Sequence, residues 1–136
     1  MSSIESEILA KGLTAPRVTP DDINANIVSE FYFTAADGVR GESHMGTAPA
    51  GRAKSLELLT FCVLVLRNGF TVTGESACAS PENFDAEIGR KIARENAVQK
   101  VWPLMGYELK ERLHRKAQAL SRGSSPLRNK HSQPSE

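Results

Sequence analysis

A chain of 136 residues has room for one modest core, and 40% apolar with 24% charged residues is a globular balance, not that of a disordered or membrane-embedded chain. Seventeen basic against sixteen acidic residues leave a formal net charge of +1, which excludes the strongly basic profile of a dedicated nucleic-acid binder while leaving a local basic patch open. The longest apolar run, Phe61 to Leu66, falls far short of the ~20 residues that span a bilayer, and the acidic start Met1-Ser2-Ser3-Ile4-Glu5 is no secretory signal; with Cys62 and Cys78 read as free thiols, the expected location is the cytoplasm.

Residues 2 to about 13 predict a short helix with Ile4, Ile8 and Leu9 on one side, ended by Gly12 and Pro16. A second helix starts at Thr19, a good N-cap, with Pro20 at its first position and Asp21 and Asp22 in its first turn. Ile23, Ile27, Val28 and Phe31 recur at helical spacing and carry it to Ala35 or Ala36. From Asp37 to Lys54 there are too few apolar side chains to offset ordering entropy, so this stretch reads as a flexible loop.

Leu58 to Leu66 is a strongly apolar β run, Asn68-Gly69 is a two-residue type I′ turn signal, and Phe70 to Ala77 is the return strand. Such a turn pairs Arg67 with Phe70, Val65 with Val72 and Val63 with Gly74, placing Phe61, Val63, Val65, Phe70 and Val72 on one face. The first strand is apolar on both sides and so belongs inside a sheet. A hairpin alone is marginal, and its missing neighbour is expected from the segment around Val39 or Met45, or from a second copy of the chain.

Ser80-Pro81-Glu82-Asn83 opens a long helix running to about Val101 or Trp102 and interrupted by Pro103. Phe84, Ile88, Ile92, Val98 and Trp102 form a bulky stripe suited to the hairpin. Ala86, Gly89, Ala93, Ala97 and Val101 form a small-residue stripe suited to another helix, so the helix is expected to be covered front and back. A last helix spans Tyr107 to about Leu120. The expected architecture is therefore a single α+β domain over residues 1–120, with a hairpin (58–77) packed on a central helix (82–102), helices at both ends, and a disordered tail over 121–136.

No motif in the chain carries catalysis. Glu95 lies in the bulky stripe, where a partly buried carboxylate is a general-base candidate, but a rim pair with Lys91 explains it as well. Gly74-Glu75-Ser76-Ala77-Cys78 sets nucleophiles beside a carboxylate, yet His44, His114 and His131 are scattered and none is presented to it. Those histidines and two cysteines do not make a zinc set, and the glycines form no phosphate-binding loop, so neither metal nor cofactor is expected. Arg90, Arg94, Arg112 and Arg115 can contact phosphate, but interleaved glutamates give them the look of solvated faces. With Glu75 and Glu95 they are the candidate ligand or partner contacts.

The wording Leu59-Thr60-Phe61-Cys62-Val63-Leu64, Asn68-Gly69-Phe70-Thr71-Val72-Thr73-Gly74-Glu75-Ser76-Ala77-Cys78, Ser80-Pro81-Glu82-Asn83-Phe84-Asp85-Ala86-Glu87-Ile88-Gly89 and Trp102-Pro103-Leu104 resembles a family of small tailed-bacteriophage and prophage proteins, as does Phe33-Thr34-Ala35-Ala36-Asp37-Gly38. The resemblance spans about residues 20–113. It has no assigned biochemistry to carry over, and implies a phage-encoded accessory protein acting in the infected host cytoplasm. The expectation is a non-enzymatic binding protein, a homodimer or higher, that engages a host factor or sequesters a small ligand, a counter-defence role included. The alternative is a nucleic-acid-binding accessory protein.

Overall fold

The structure, a computed structural model, describes residues 3–43 and 53–123. Its elements in chain order are α1 (Ser3–Ala10), α2 (Pro20–Asn26), β1 (Ile27–Thr34), α3 (Ala35–Glu42), α4 (Ala53–Glu57), β2 (Leu59–Leu66), β3 (Thr71–Ala77), a 3₁₀ turn (Pro81–Asn83) and α5 (Ala86–Gly123). The three strands form one antiparallel sheet in the order β1-β2-β3, with the apolar β2 in the middle. The architecture is α+β, as expected.

Helices α2 and α3 open on the same device. Thr19 accepts a hydrogen bond from the Asp22 N–H at 3.1 Å while the Asp22 carboxylate accepts from the Thr19 N–H at 2.9 Å; Thr34 and Asp37 repeat the exchange at 3.1 and 3.0 Å. Each reciprocal pair satisfies donors that a helix start leaves without partners. The second pair corrects the reading of residues 37–54 as one long loop: α3 begins at Ala35 and α4 occupies Ala53–Glu57. Met45, one of the proposed third-strand positions, lies outside the described residues.

The missing strand is β1. Residues 27–34, Ile-Val-Ser-Glu-Phe-Tyr-Phe-Thr, extend the helix spacing of Ile23, but they are β-branched and aromatic, and the unsatisfied edge of β2 outweighs that local periodicity. The helix therefore stops at Asn26, and β1 pairs with β2 through Phe31–Val63, Tyr32–Cys62 and Phe33–Phe61.

The hairpin turn also differs from the two-residue type. The Gly69 N–H donates to the Leu66 carbonyl, Leu66 and Phe70 close the ladder, and Gly69 sits at φ +91°. This is a three-residue connection in which glycine supplies the left-handed residue after a tight turn. The register moves by one: Val65 pairs with Thr71, Leu64 with Val72 and Cys62 with Gly74. Since side chains alternate, that slip puts Val72 and Gly74 with Cys62, Leu64 and Leu66, and leaves Phe61, Val63 and Val65 with Thr71 and Thr73 on the other face.

The helix on that first face is α5, and it turns its small side to the sheet. Ala93, Ala97 and Val101 are fully buried with Cys62 and Leu64, whereas Ile88 and Ile92 of the bulky stripe are 55% and 42% exposed. The bulky stripe thus flanks the contact, with only Val98 and Trp102 partly tucked against the core. Gly74 explains the choice: a methyl group there would lie 2.2 Å from the Ala93 carbonyl oxygen and 2.3 Å from the Ala97 nitrogen. Gly74 pairs in register with Cys62, without a bulge. The helix starts at Asp85, whose carboxylate accepts from the Ile88 N–H at 3.0 Å, a turn later than Pro81 suggests. It continues through Pro103 without a break. Gln99 and Pro103 are both exposed, so the carbonyl that proline leaves without a donor faces water. The tail beyond Gly123 lies outside the described residues.

Gly74→Ala is expected to destabilise the fold by roughly 3 kcal/mol, the upper end of overpacking costs, because the obstructing atoms are backbone. Urea unfolding measures this; a loss well below 1 kcal/mol would show that strand and helix do not meet there.

Candidate functional site

The residues marked by sequence as contacts do not converge. On α5, Arg90 and Arg94 project toward β1, Glu95 lies on the exposed side, and Arg112 and Arg115 lie on the outer half of the helix. Glu75 points from β3 to the opposite face of the sheet, in register with Phe61. Lys91 pairs with Glu87, not with Glu95. Arg112 and Arg115 are each paired with a glutamate one turn earlier, Glu108 at 2.7 Å and Glu111 at 3.8 Å. These pairs support the exposed helix and offset the charge a phosphate would need. Cys78 donates to the Ser80 carbonyl at 3.2 Å beside a small cleft of about 130 Å³ that Ser76 also lines.

Two arrangements do bring side chains together. The first is a polar cluster over β1. Arg94 donates to both oxygens of Glu30, at 3.2 and 3.1 Å, and the Tyr32 hydroxyl donates to Glu30 at 2.8 Å. Arg94 also reaches Asn24 at 3.5 Å, and the Arg90 guanidinium lies 5.9 Å from the centre of the Tyr32 ring. The Arg94 hydrogen bond holds the Glu30 carboxyl below its ordinary value of 4.5. Burial, with the bond to Glu30, pushes the Tyr32 phenol well above the ordinary tyrosine range, and burial raises the neighbouring Cys62 thiol. Arg94 and Tyr32 together hold the Glu30 carboxylate from two sides, the geometry of a structural clamp.

The second is the face of the sheet turned away from α5. Phe31 and Phe33 from β1, Phe61, Val63 and Val65 from β2, and Thr71 and Thr73 from β3 lie on it. Phe33 and Phe61 stack with ring centres 5.4 Å apart. Helix α3 follows Thr34 and α4 precedes Leu59, so both sit at one end of this face, where Gly38 packs close to the Phe33 ring. Phe31, nearer the middle, is 58% exposed. The sequence signal for this surface was present in the alternation of β1 and β2, but it was hidden by the helical reading of β1 and by the assumed turn. A third feature is a cleft of about 380 Å³ at the hairpin tip, where Arg67 and Phe70 face Leu104 and Glu108.

A family model described as phage protein (N4 Gp49/phage Sf6 gene 66) matches residues 18–113. The chain belongs to this family of phage proteins. The match begins just before α2 and ends in the outer half of α5, so it takes in the whole sheet and the part of α5 that packs on it. No curated protein and no solved structure matches the chain. Among the described residues, no helix is long and apolar enough to cross a membrane.

The clamp on Glu30 has a pH signature. A carboxyl whose folded value lies below its unfolded one adds stability that is complete above the unfolded value and is lost as pH falls through the folded one. Glu30→Gln is therefore expected to be less stable than the parent at neutral pH, with the gap closing as pH drops below about 4. Paired urea titrations across pH check this; a gap that stays constant would contradict the clamp.

Proposed function

We propose that this phage protein is a non-enzymatic accessory protein that acts by binding a protein of the infected host through the open apolar face of its sheet. The observation that supports this reading is the set Phe31, Phe33, Phe61, Val63 and Val65 on one face of regular strands: among the described residues Phe31 and Phe33 are exposed and the other three only partly buried. Exposed aromatic side chains on a rigid element are costly to leave in water and are the usual centre of a protein interface. The face is the surface of an antiparallel sheet. Small ligands favour concave sites that bury most of their surface, so a macromolecular surface is the better match. Polar Thr71, Thr73 and Glu75 edge the apolar centre on β3, giving the core-and-rim pattern of such interfaces.

Val63→Glu tests the reading at the centre of the face, where the side chain is only partly buried and the fold is expected to survive. A photo-reactive residue at Thr73 is expected to capture one host protein during infection, and Val63→Glu to weaken that capture by at least about tenfold. A phage carrying Val63→Glu should then match the gene deletion. If the folded variant behaves as the parent in both assays, the open face is not the working surface.

A further inference from the structure

The outer edge of β1 is a strand edge with no sheet neighbour among the described residues. Which of its groups face outward follows from the ladder. The Cys78 N–H donates to the Leu58 carbonyl, and the Leu66 N–H donates to the Phe70 carbonyl. Even-numbered residues of β2 therefore bond to β3, and odd-numbered ones, Phe61, Val63 and Val65, bond to their partners Phe33, Phe31 and Ser29 on β1. The backbone groups of Glu30 and Tyr32 are left pointing away from the sheet. Thr34 points the same way and turns its N–H to Asp37. Proteins commonly blunt such an edge with lysine, proline or an inward charge. Here the middle of β1 has neither lysine nor proline, and its one charge, Glu30, is drawn back onto the helix side by Arg94, away from the edge itself. The irregularity at Val28 confines the regular edge to residues 29–34.

We propose that β1 pairs antiparallel with β1 of a second copy of this chain about a twofold axis at Phe31, making one continuous six-stranded sheet. In this register Glu30 faces the partner's Tyr32, and Tyr32 faces the partner's Glu30. Both pairs bond through the outward backbone groups, and the Phe31 side chains meet across the axis. Alternative registers centred on Glu30 or Tyr32 are weaker: the first sets two carboxylates face to face, and the second forms only one central pair of this kind. Charge selects the same arrangement. Arg90 stands over Tyr32 and has no carboxylate within salt-bridge reach among the described residues. Once Tyr32 lies opposite the partner's Glu30, the guanidinium gains that carboxylate. Helix α5 lies over β3 and β2, so the helix side of β1 leaves room for this contact, and the two open apolar faces join into one. This inference does not rest on the host-protein reading, since the edge and the face are different surfaces.

The test uses the full chain. Sedimentation is expected to give twice the 14.8 kDa chain mass. In a Cys78→Ser background, Phe31→Cys should form a disulfide-linked dimer under mild oxidant, because directly opposed residues of a non-bonded pair lie about 4.5 Å apart at Cα. Phe33→Cys should not, since the two copies of residue 33 are offset by roughly 13 Å along the strands. Arg90→Glu should weaken association about tenfold or more without changing the unfolding midpoint much. A chain that sediments at 14.8 kDa at every concentration overturns the proposal. So does a dimer in which Phe33→Cys links as fast as Phe31→Cys. A dimer abolished by Val63→Glu but untouched by Arg90→Glu would assign self-association to the open face and overturn both this register and the host-protein reading.

Discussion

The fold turns on the place where α5 crosses β3 at Gly74. The Ala93 carbonyl and the Ala97 backbone occupy the space that any side chain at residue 74 would fill. Close approach of this kind maximises contact between a strand and a helix with small residues, and it leaves no room for the larger side chains of α5 underneath. Ile88 and Ile92 are consequently displaced toward the β3 side, beside Leu58 and Cys78, and the core is narrow: Ile23, Cys62, Leu64, Leu66 and Val72 under Ala93, Ala97 and Val101. One helix is enough to close such a core. The other face of the sheet is therefore left to the aromatic and branched residues that β1 and β2 place there.

A different physics holds β1. It lies beyond the main footprint of α5, and among its residues on the helix side Glu30 and Tyr32 are polar. Arg94 spans the gap, joining the helix to Glu30 and Asn24, and thus to the junction of α2 and β1. Its side chain and that of Glu30 are each about one-third exposed, so solvent screens the pair and its worth lies in direction more than in strength. The outcome is a strand positioned by a polar strut, with an apolar face on one side and an edge that is unpaired among the described residues. Both features are typical of surfaces that meet other chains.

Much of this was legible in the residues and some was not. The capping of α2 by Thr19 and the apolar middle strand follow from local patterns that survive in any context. Pro103, by contrast, divides the sequence pattern into two helices where the structure has one, Ala86–Gly123, because proline removes one helical hydrogen bond without ending the helix here. Residues 27–34 failed because Ile23, Ile27, Val28 and Phe31 satisfy a helical period while Phe31 and Phe33 also satisfy a strand period; the vacant edge of β2, a tertiary demand, decides between them. The hairpin register failed for a subtler reason. Asn68-Gly69 serves both two- and three-residue turns, and a change of one residue inverts which side chains are buried. The two stripes of α5 were correctly separated, but their roles were exchanged, since only the position of Gly74 in the ladder reveals that the sheet, not a second helix, needs the small side. The site residues chosen for their charge were dispersed for the same reason: charge marks the solvated parts of α5, while the surface left open is apolar.

The central claim is that α5 lays its alanine face on Gly74 and so leaves the opposite sheet face open around Phe31 among the described residues. Nuclear Overhauser contacts from the Gly74 α protons test it most directly. The account predicts strong contacts to the backbone and methyl protons of Ala93 and Ala97 and none to the side chains of Ile88 or Ile92. Contacts to Ile88 or Ile92 in place of the alanines would mean that the bulky stripe faces the sheet, and the account would be wrong.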